Sequence, residues 1–224
     1  MKQFKRTERI KVKTAKGRKL SSKLWLERQL NDPFVKLSKE KGYRSRAAFK
    51  LLEIDEKYKI LKPGISIIDI GAAPGSWLQV ILEKCNSAKK QSTVIGLDLQ
   101  EIEPIEGVEL IHGDFTEQKT VDELNTILAG KKLDVVLSDM AASSTGFSDV
   151  DHDRIVMLCE LVYEFAIENL KVGGSVVVKV LRGGTEHKLL ADFKRNFKEV
   201  KHFKPQSSRQ DSAEMYLIAK GFNG

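Results

Sequence analysis

From Ile65 onward, short apolar runs alternate with amphipathic ones, and the first run leads straight into a turn rich in glycine, Asp69-Ile70-Gly71-Ala72-Ala73-Pro74-Gly75. Candidate strands span 65–70, 93–99, 108–112, 133–139 and 175–181, and candidate helices over 76–85, 116–129 and 153–170 lie between them. That alternation predicts an α/β domain, a parallel sheet with helices on both faces. A helix over 185–197, a strand near 200–204 and a last strand at 214–219 complete it. Upstream, residues 22–41 hold enough apolar side chains for short helices, and 45–58 reads as a helix with Ser45 at its N-cap. At 224 residues and 41% hydrophobic content, one core is the economical solution, so a single domain over 22–224 follows a basic, flexible extension at 1–21.

A strand-to-helix turn of this kind sits where open α/β sheets bind ligands. Its G-x-x-x-G spacing lacks both the dinucleotide fingerprint and the Gly-Lys-Ser/Thr of a P-loop, so a phosphate cradle is disfavoured. A sulfonium nucleoside has no phosphate, and Asp69 beside the turn would suit its positively charged methionine end. A tight turn with no ligand is the alternative. Asp98 ends the second strand, where a carboxylate accepts from ribose hydroxyls, and Asp114 follows the third, placed to accept from an adenine amino group. A lone acid at a strand end is more often a helix cap. Three acids after three successive strands favour a nucleoside site.

Lys179 interrupts the apolar strand Val176-Val177-Val178-Lys179-Val180-Leu181. An unpaired ammonium there is costly. An ion pair or a snorkelling side chain is one explanation; a lysine that desolvation and nearby cations prepare for work as a base is the other. Asp139, ending the neighbouring strand, reaches the same mouth. Pattern alone does not single out Lys50, which shares the polar side of its helix with Arg46 and Glu53, nor Glu214, which opens the last strand.

Charge is unevenly distributed. Residues 1–50 hold 17 Lys or Arg against four acids, while the remainder of this +7 chain is acidic. Such a segment attracts phosphate backbones by counterion release, and the basic residues continue into Lys41-Gly42-Tyr43-Arg44-Ser45-Arg46. A solvated tail is the alternative. No apolar run reaches 18 residues and no signal-peptide core opens the chain, so a cytoplasmic protein without a membrane partner is expected. Cys85, Cys159 and the four histidines are scattered, so no metal is expected, and Asp149-Val150-Asp151-His152-Asp153 reads as a helix N-terminus rather than a calcium loop.

Tyr43-Arg44-Ser45-Arg46-Ala47-Ala48-Phe49-Lys50-Leu51, the turn Asp69 to Gly75 with Ser76-Trp77, Ser138-Asp139-Met140-Ala141, Val177-Val178-Lys179-Val180, and Lys204-Pro205-Gln206-Ser207-Ser208-Arg209 through Glu214-Met215-Tyr216 together resemble the FtsJ family. The resemblance covers about residues 22–220. It implies a Rossmann-like, S-adenosylmethionine-dependent methyltransferase fold with a mostly parallel seven-stranded sheet whose last strand is antiparallel. It implies 2′-O-methylation of a uridine in 23S ribosomal RNA, within the 50S subunit, by a monomer. Lys50, Asp139, Lys179 and Glu214 fall on the family's catalytic set, with Lys179 the proton acceptor. Gly71, Gly75, Trp77, Asp98, Asp114 and Asp139 fall in its cofactor region. Ser76 stands where a second glycine is frequent, and Ala141-Ala142 where Ala-Pro is frequent, a change in the loop after the catalytic acid. A relative acting on tRNA or an mRNA cap, or a catalytically silent RNA-binding assembly factor, is the alternative.

Overall fold

Seven strands form one sheet in the order β3-β2-β1-β4-β5-β7-β6 in the computed structural model, which describes residues 20–87, 90–141, 148–181 and 187–224. The strands are β1 (Ser66–Ile70), β2 (Thr93–Asp98), β3 (Glu109–His112), β4 (Leu133–Ser138), β5 (Leu170–Leu181), β6 (Phe197–Phe203) and β7 (Glu214–Phe222). All neighbouring pairs from β3 to β5 are parallel, and β7 lies antiparallel between β5 and β6. This is the expected mostly parallel sheet with an antiparallel last strand.

Helices cover both faces. One face packs α3 (Ala48–Tyr58) and α4 (Ser76–Cys85) through Leu51, Ile54, Leu78 and Ile81. The other packs α5 (Gln118–Leu128), α6 (Ser148–Asn169) and α7 (His187–Asn196) through Leu124, Val162 and Phe193. Because strand side chains alternate, Val176, Val178 and Val180 of β5 face α6, whereas Val177 faces α3 and α4. Val135 and Leu137 of β4 and Tyr216 and Ile218 of β7 share that second face. The order reverses at β1, which has β2 on one side and β4 on the other, and such a reversal opens a crevice at the carboxyl ends of the strands.

Several boundaries differ from the sequence reading for local reasons. Residues 22–41 form two helices, α1 (Leu20–Leu30) and α2 (Pro33–Lys41), because Asp32 caps the second, accepting from Phe34 N at 2.9 Å, with Pro33 preset in its first turn. Ser45 Oγ accepts from Ala47 N at 3.2 Å, so it caps the turn before α3 rather than α3 itself. β5 begins five residues early, at Leu170, which pairs with Leu133 before a register shift. Phe197 belongs to β6 and not to the preceding helix, because it pairs with Phe222, and their tilted rings pack with centroids 5.4 Å apart. Asp149 to Asp153 form the opening turns of α6. The basic extension expected at 1–21 lies outside the described residues up to 19, as do Ala142 and Thr185. Among the described residues no helix is long and apolar enough to cross a membrane.

Candidate active site

The crevice at the sheet's reversal holds a cavity of about 480 Å³, bounded by the residues that follow four successive strands: Gly71 after β1, Asp98 at the end of β2, Asp114 after β3, and Asp139 with Met140 after β4. Gly71 closes the gap between two of these turns. Its φ is +81°, and a Cβ there would lie 2.8 Å from Met140 N and 2.9 Å from Met140 Cα. Only glycine lets the β1 turn approach the backbone beside Asp139 this closely.

Both rim carboxylates are oriented by backbone amides. Asp98 Oδ2 accepts from Ala73 N and Oδ1 from Gln100 N, each at 2.8 Å. Asp114 Oδ1 accepts from Thr116 N at 2.8 Å and Thr116 Oγ1 at 2.7 Å. Each carboxylate keeps further lone pairs for a ligand in the cavity it lines. Leu97, Leu99, Phe115 and Met157 supply apolar wall.

Asp69, Gly75 and Trp77 are not part of this wall. Asp69 shares the strand face of Ile67, so its carboxyl points toward α3 and α4; it is 1% exposed, and neither oxygen has a hydrogen-bond partner among the described residues. Burial, reinforced by the charges of Asp139 and Asp98, pushes this carboxyl well above the usual range. Trp77 is a packing residue that donates from Nε1 to Ala47 O at 2.8 Å and lies 5.8 Å from the Tyr216 ring. Gly75, at φ +100°, leaves room for Ile105 and Arg44.

Next to the cavity the four expected catalytic residues meet. Lys179 shares the Val177 face of β5 and pairs directly across the ladder with Tyr216 of β7, while Glu214 pairs with Leu181. Lys179 Nζ donates to Asp139 O at 2.7 Å and lies 3.1 Å from Asp139 Oδ1 and 3.9 Å from Glu214 Oε1. Lys50 reaches in from α3, with Nζ 3.5 Å from both Asp139 Oδ2 and Glu214 Oε2. The Lys179 side chain is 5% exposed and that of Lys50 12%, so neither is a solvated surface charge. Two ammonium groups interleave with two carboxylates.

Asp139 anchors the group. Burial alone would raise its carboxyl, but the charges of Lys179 and Lys50 and the hydrogen bond from Tyr216 outweigh that and hold it below the usual range. Tyr216 Oη donates to Asp139 Oδ1 at 2.7 Å, and burial together with the Asp139 charge keeps the phenol protonated far above its ordinary range. Tyr216 appeared in the sequence only as part of a motif. The available signal was its place two residues after Glu214, on the same strand face.

Lys50 reaches this group because the polar side of α3 faces a loop rather than water. Glu53 accepts from the backbone amide of Ser207 at 2.9 Å and also from that of Gln206. Arg46 binds Asp32 and Ser207 O. These contacts fasten the β6–β7 loop, and with it Glu214, over α3.

Comparison with known proteins identifies the family. The description of the FtsJ-like methyltransferase family fits residues 43–222. The chain is 52% identical to the ribosomal RNA large subunit methyltransferase E of Paramagnetospirillum magneticum, over 96% of this chain and 88% of that protein. It is 50% identical to the protein of the same description from Parvibaculum lavamentivorans, over 98% and 89% of the two chains. A solved structure from Plasmodium falciparum, described as a ribosomal RNA methyltransferase, is similar at 36% identity and a TM-score of 0.73, covering 81% of this chain and 100% of that one. With a family match across most of its length and a shared fold, the chain is a methyltransferase and belongs to the FtsJ-like methyltransferase family.

Proposed function

We propose that this enzyme methylates the ribose 2′-hydroxyl of a uridine in 23S ribosomal RNA, within the 50S subunit, with S-adenosylmethionine as donor and Lys179 as proton acceptor. The observation that carries the reading is Lys179 Nζ, held 2.7 Å from Asp139 O, with that same Asp139 forming part of the cavity wall. The relatives described as large-subunit RNA methyltransferases support the substrate class. The 2′ oxygen and the uridine rest on the resemblance to the family.

The cavity suits the donor. Its volume of about 480 Å³ is ample for a nucleoside with an amino-acid arm, Asp98 can accept from ribose hydroxyls and Asp114 from an adenine amino group, and the apolar wall can take the base. When bound, the donor supplies an electrophilic methyl group on a sulfonium. The residues of this chain do the rest. Lys179 gives up its own ammonium proton to solvent and then, as an amine, takes the 2′-hydroxyl proton as that oxygen accepts the methyl group the donor would supply. Asp139 and Glu214 orient both lysines, and Lys50 offsets the carboxylate charge beside the reacting oxygen. Proximity supplies much of the acceleration, since a ribose hydroxyl is a poor nucleophile at neutral pH.

The test is incubation with labelled S-adenosylmethionine and undermethylated 50S particles, followed by mapping. Label on one uridine ribose of 23S RNA is expected; label on tRNA, or on a base instead of a ribose, sinks the reading. The basic N-terminal segment is assigned to holding the RNA. Removing residues 1–19, which leaves α1 intact, is expected to weaken RNA binding with donor binding unchanged. The salt dependence of RNA binding should flatten as well, by roughly 0.7 to 0.9 in slope for each phosphate that the shortened chain leaves unneutralised. An unaltered salt slope counts against that assignment.

A further inference from the structure

The segment 42–47 carries two arginines, and its sequence reads as a place for RNA phosphates. The structure gives Arg44 other partners. Its Nη1 donates to Pro74 O at 3.0 Å and to Glu103 O at 2.8 Å, and its Nη2 donates to Pro104 O at 3.1 Å. These carbonyls belong to two loops: Pro74 lies in the turn after β1, and Glu103 and Pro104 lie in the connection after β2. The same two loops contribute Ala73, Leu99 and Gln100 to the cavity wall, with Asp98 between them. A Cβ on Gly75 would stand 2.9 Å from Ile105 Cδ1 and 3.0 Å from Arg44 Nη1, so a side chain there would press on the guanidinium.

We infer that Arg44 is a positioning residue for the methyl donor: it clamps the two loops that flank Asp98 and so sets the width of the donor cleft. A planar guanidinium can serve three carbonyls at fixed angles, which a lysine ammonium on a flexible stem cannot reproduce. The clamp is itself held from outside the cleft. Arg44 N donates to Gln79 Oε1 at 2.8 Å, Gln79 Nε2 donates to Gly42 O at 3.0 Å, and Ser45 Oγ lies 2.8 Å from Ser76 Oγ on the first residue of α4. Because 42–47 leads directly into α3, which carries Lys50, the same segment joins the donor cleft to the catalytic group. This inference rests on the donor cavity proposed above.

The experiment compares wild type with Arg44→Lys and Arg44→Met. Equilibrium binding of S-adenosylhomocysteine to the free protein is measured first, then KM for S-adenosylmethionine, KM for undermethylated 50S particles, and the salt dependence of RNA binding. Both variants are expected to bind S-adenosylhomocysteine at least tenfold more weakly, with a matching rise in donor KM, an RNA KM within twofold of wild type and an unchanged salt slope. Donor binding equal to wild type in Arg44→Lys overturns the inference, whatever the effect on thermal stability. A raised RNA KM with a salt slope reduced by about one, donor binding being normal, overturns it too and makes Arg44 a phosphate ligand. If wild type itself binds no S-adenosylhomocysteine, the proposed function fails, and the inference with it. That result is distinct from wild-type binding that the variants fully retain.

Discussion

Replacing Lys179 with alanine is expected to slow methyl transfer about a hundred- to ten-thousand-fold, the usual contribution of a positioned acid–base group. Donor binding should be spared, because the cavity proposed for the donor is walled by Gly71, Asp98 and Asp114 rather than by Lys179. Asp139 keeps Lys50 at 3.5 Å and the Tyr216 hydroxyl at 2.7 Å, so its carboxylate is not stranded and the variant should fold. Lys179→Arg separates the two roles of the residue. A guanidinium preserves the positive partner for Asp139 but does not give up its proton near neutral pH, so this variant should be stable and nearly as slow as the alanine variant. Single-turnover assays with saturating donor check both. Near-normal turnover in either removes Lys179 from the proton path.

Asp139→Ala should be damaging in a different way. It leaves Lys179, 5% exposed, and Lys50, 12% exposed, facing each other with only Glu214 between them, at 3.9 Å and 3.5 Å. Removing one partner of a buried charge cluster costs about 3–5 kcal/mol, and the remaining carboxylate puts this case near the lower end. For a chain of this size that is a fall in Tm on the order of 10 °C. Activity should be lost as well, since both lysines lose their orientation.

The pH dependence has a definite sign. The folded-state value of Asp139 lies below its unfolded value, so its stabilisation is full above about pH 4 and is lost as pH falls through the lower folded value. Asp69 acts the opposite way: its folded-state value is raised, so its contribution is full below about pH 4 and is lost as pH rises through the folded value. The gap in urea midpoint between wild type and Asp139→Ala should therefore be large at pH 7 and shrink toward pH 3. A gap independent of pH would mean that Asp139 stabilises by packing and not by charge.

Much of the site was legible in the amino-acid sequence because it follows strand ends. Asp98, Asp114 and Asp139 terminate or follow apolar runs, and a parallel sheet brings such ends to one edge. Lys179 stood out as a cation in a run of valines, and the structure buries it. The arginines of 42–47 were harder to read. Their charge points to RNA, yet the guanidinium of Arg44 donates to three backbone carbonyls, and that of Arg46 pairs with Asp32 and donates to Ser207 O. Composition records a charge but not its partner. Asp69 was expected at the ligand, and instead its strand face turns it into the layer under α3 and α4.

The alternation of strands and helices, the tight turn after β1 and the acids at the strand ends were determined by sequence, because side-chain period and glycine conformation are local properties of the chain. The family resemblance grouped Lys50 and Glu214 with Lys179, but only the tertiary structure decided how they meet and that Tyr216 joins them. β7 enters antiparallel between β5 and β6, setting Tyr216 opposite Lys179 and Glu214 opposite Leu181, and Glu53 and Arg46 hold the loop that leads to Glu214. Which strands become neighbours depends on how connections cross the sheet. That pairing joins residues more than 160 positions apart, such as Lys50 and Glu214, and no local pattern encodes it.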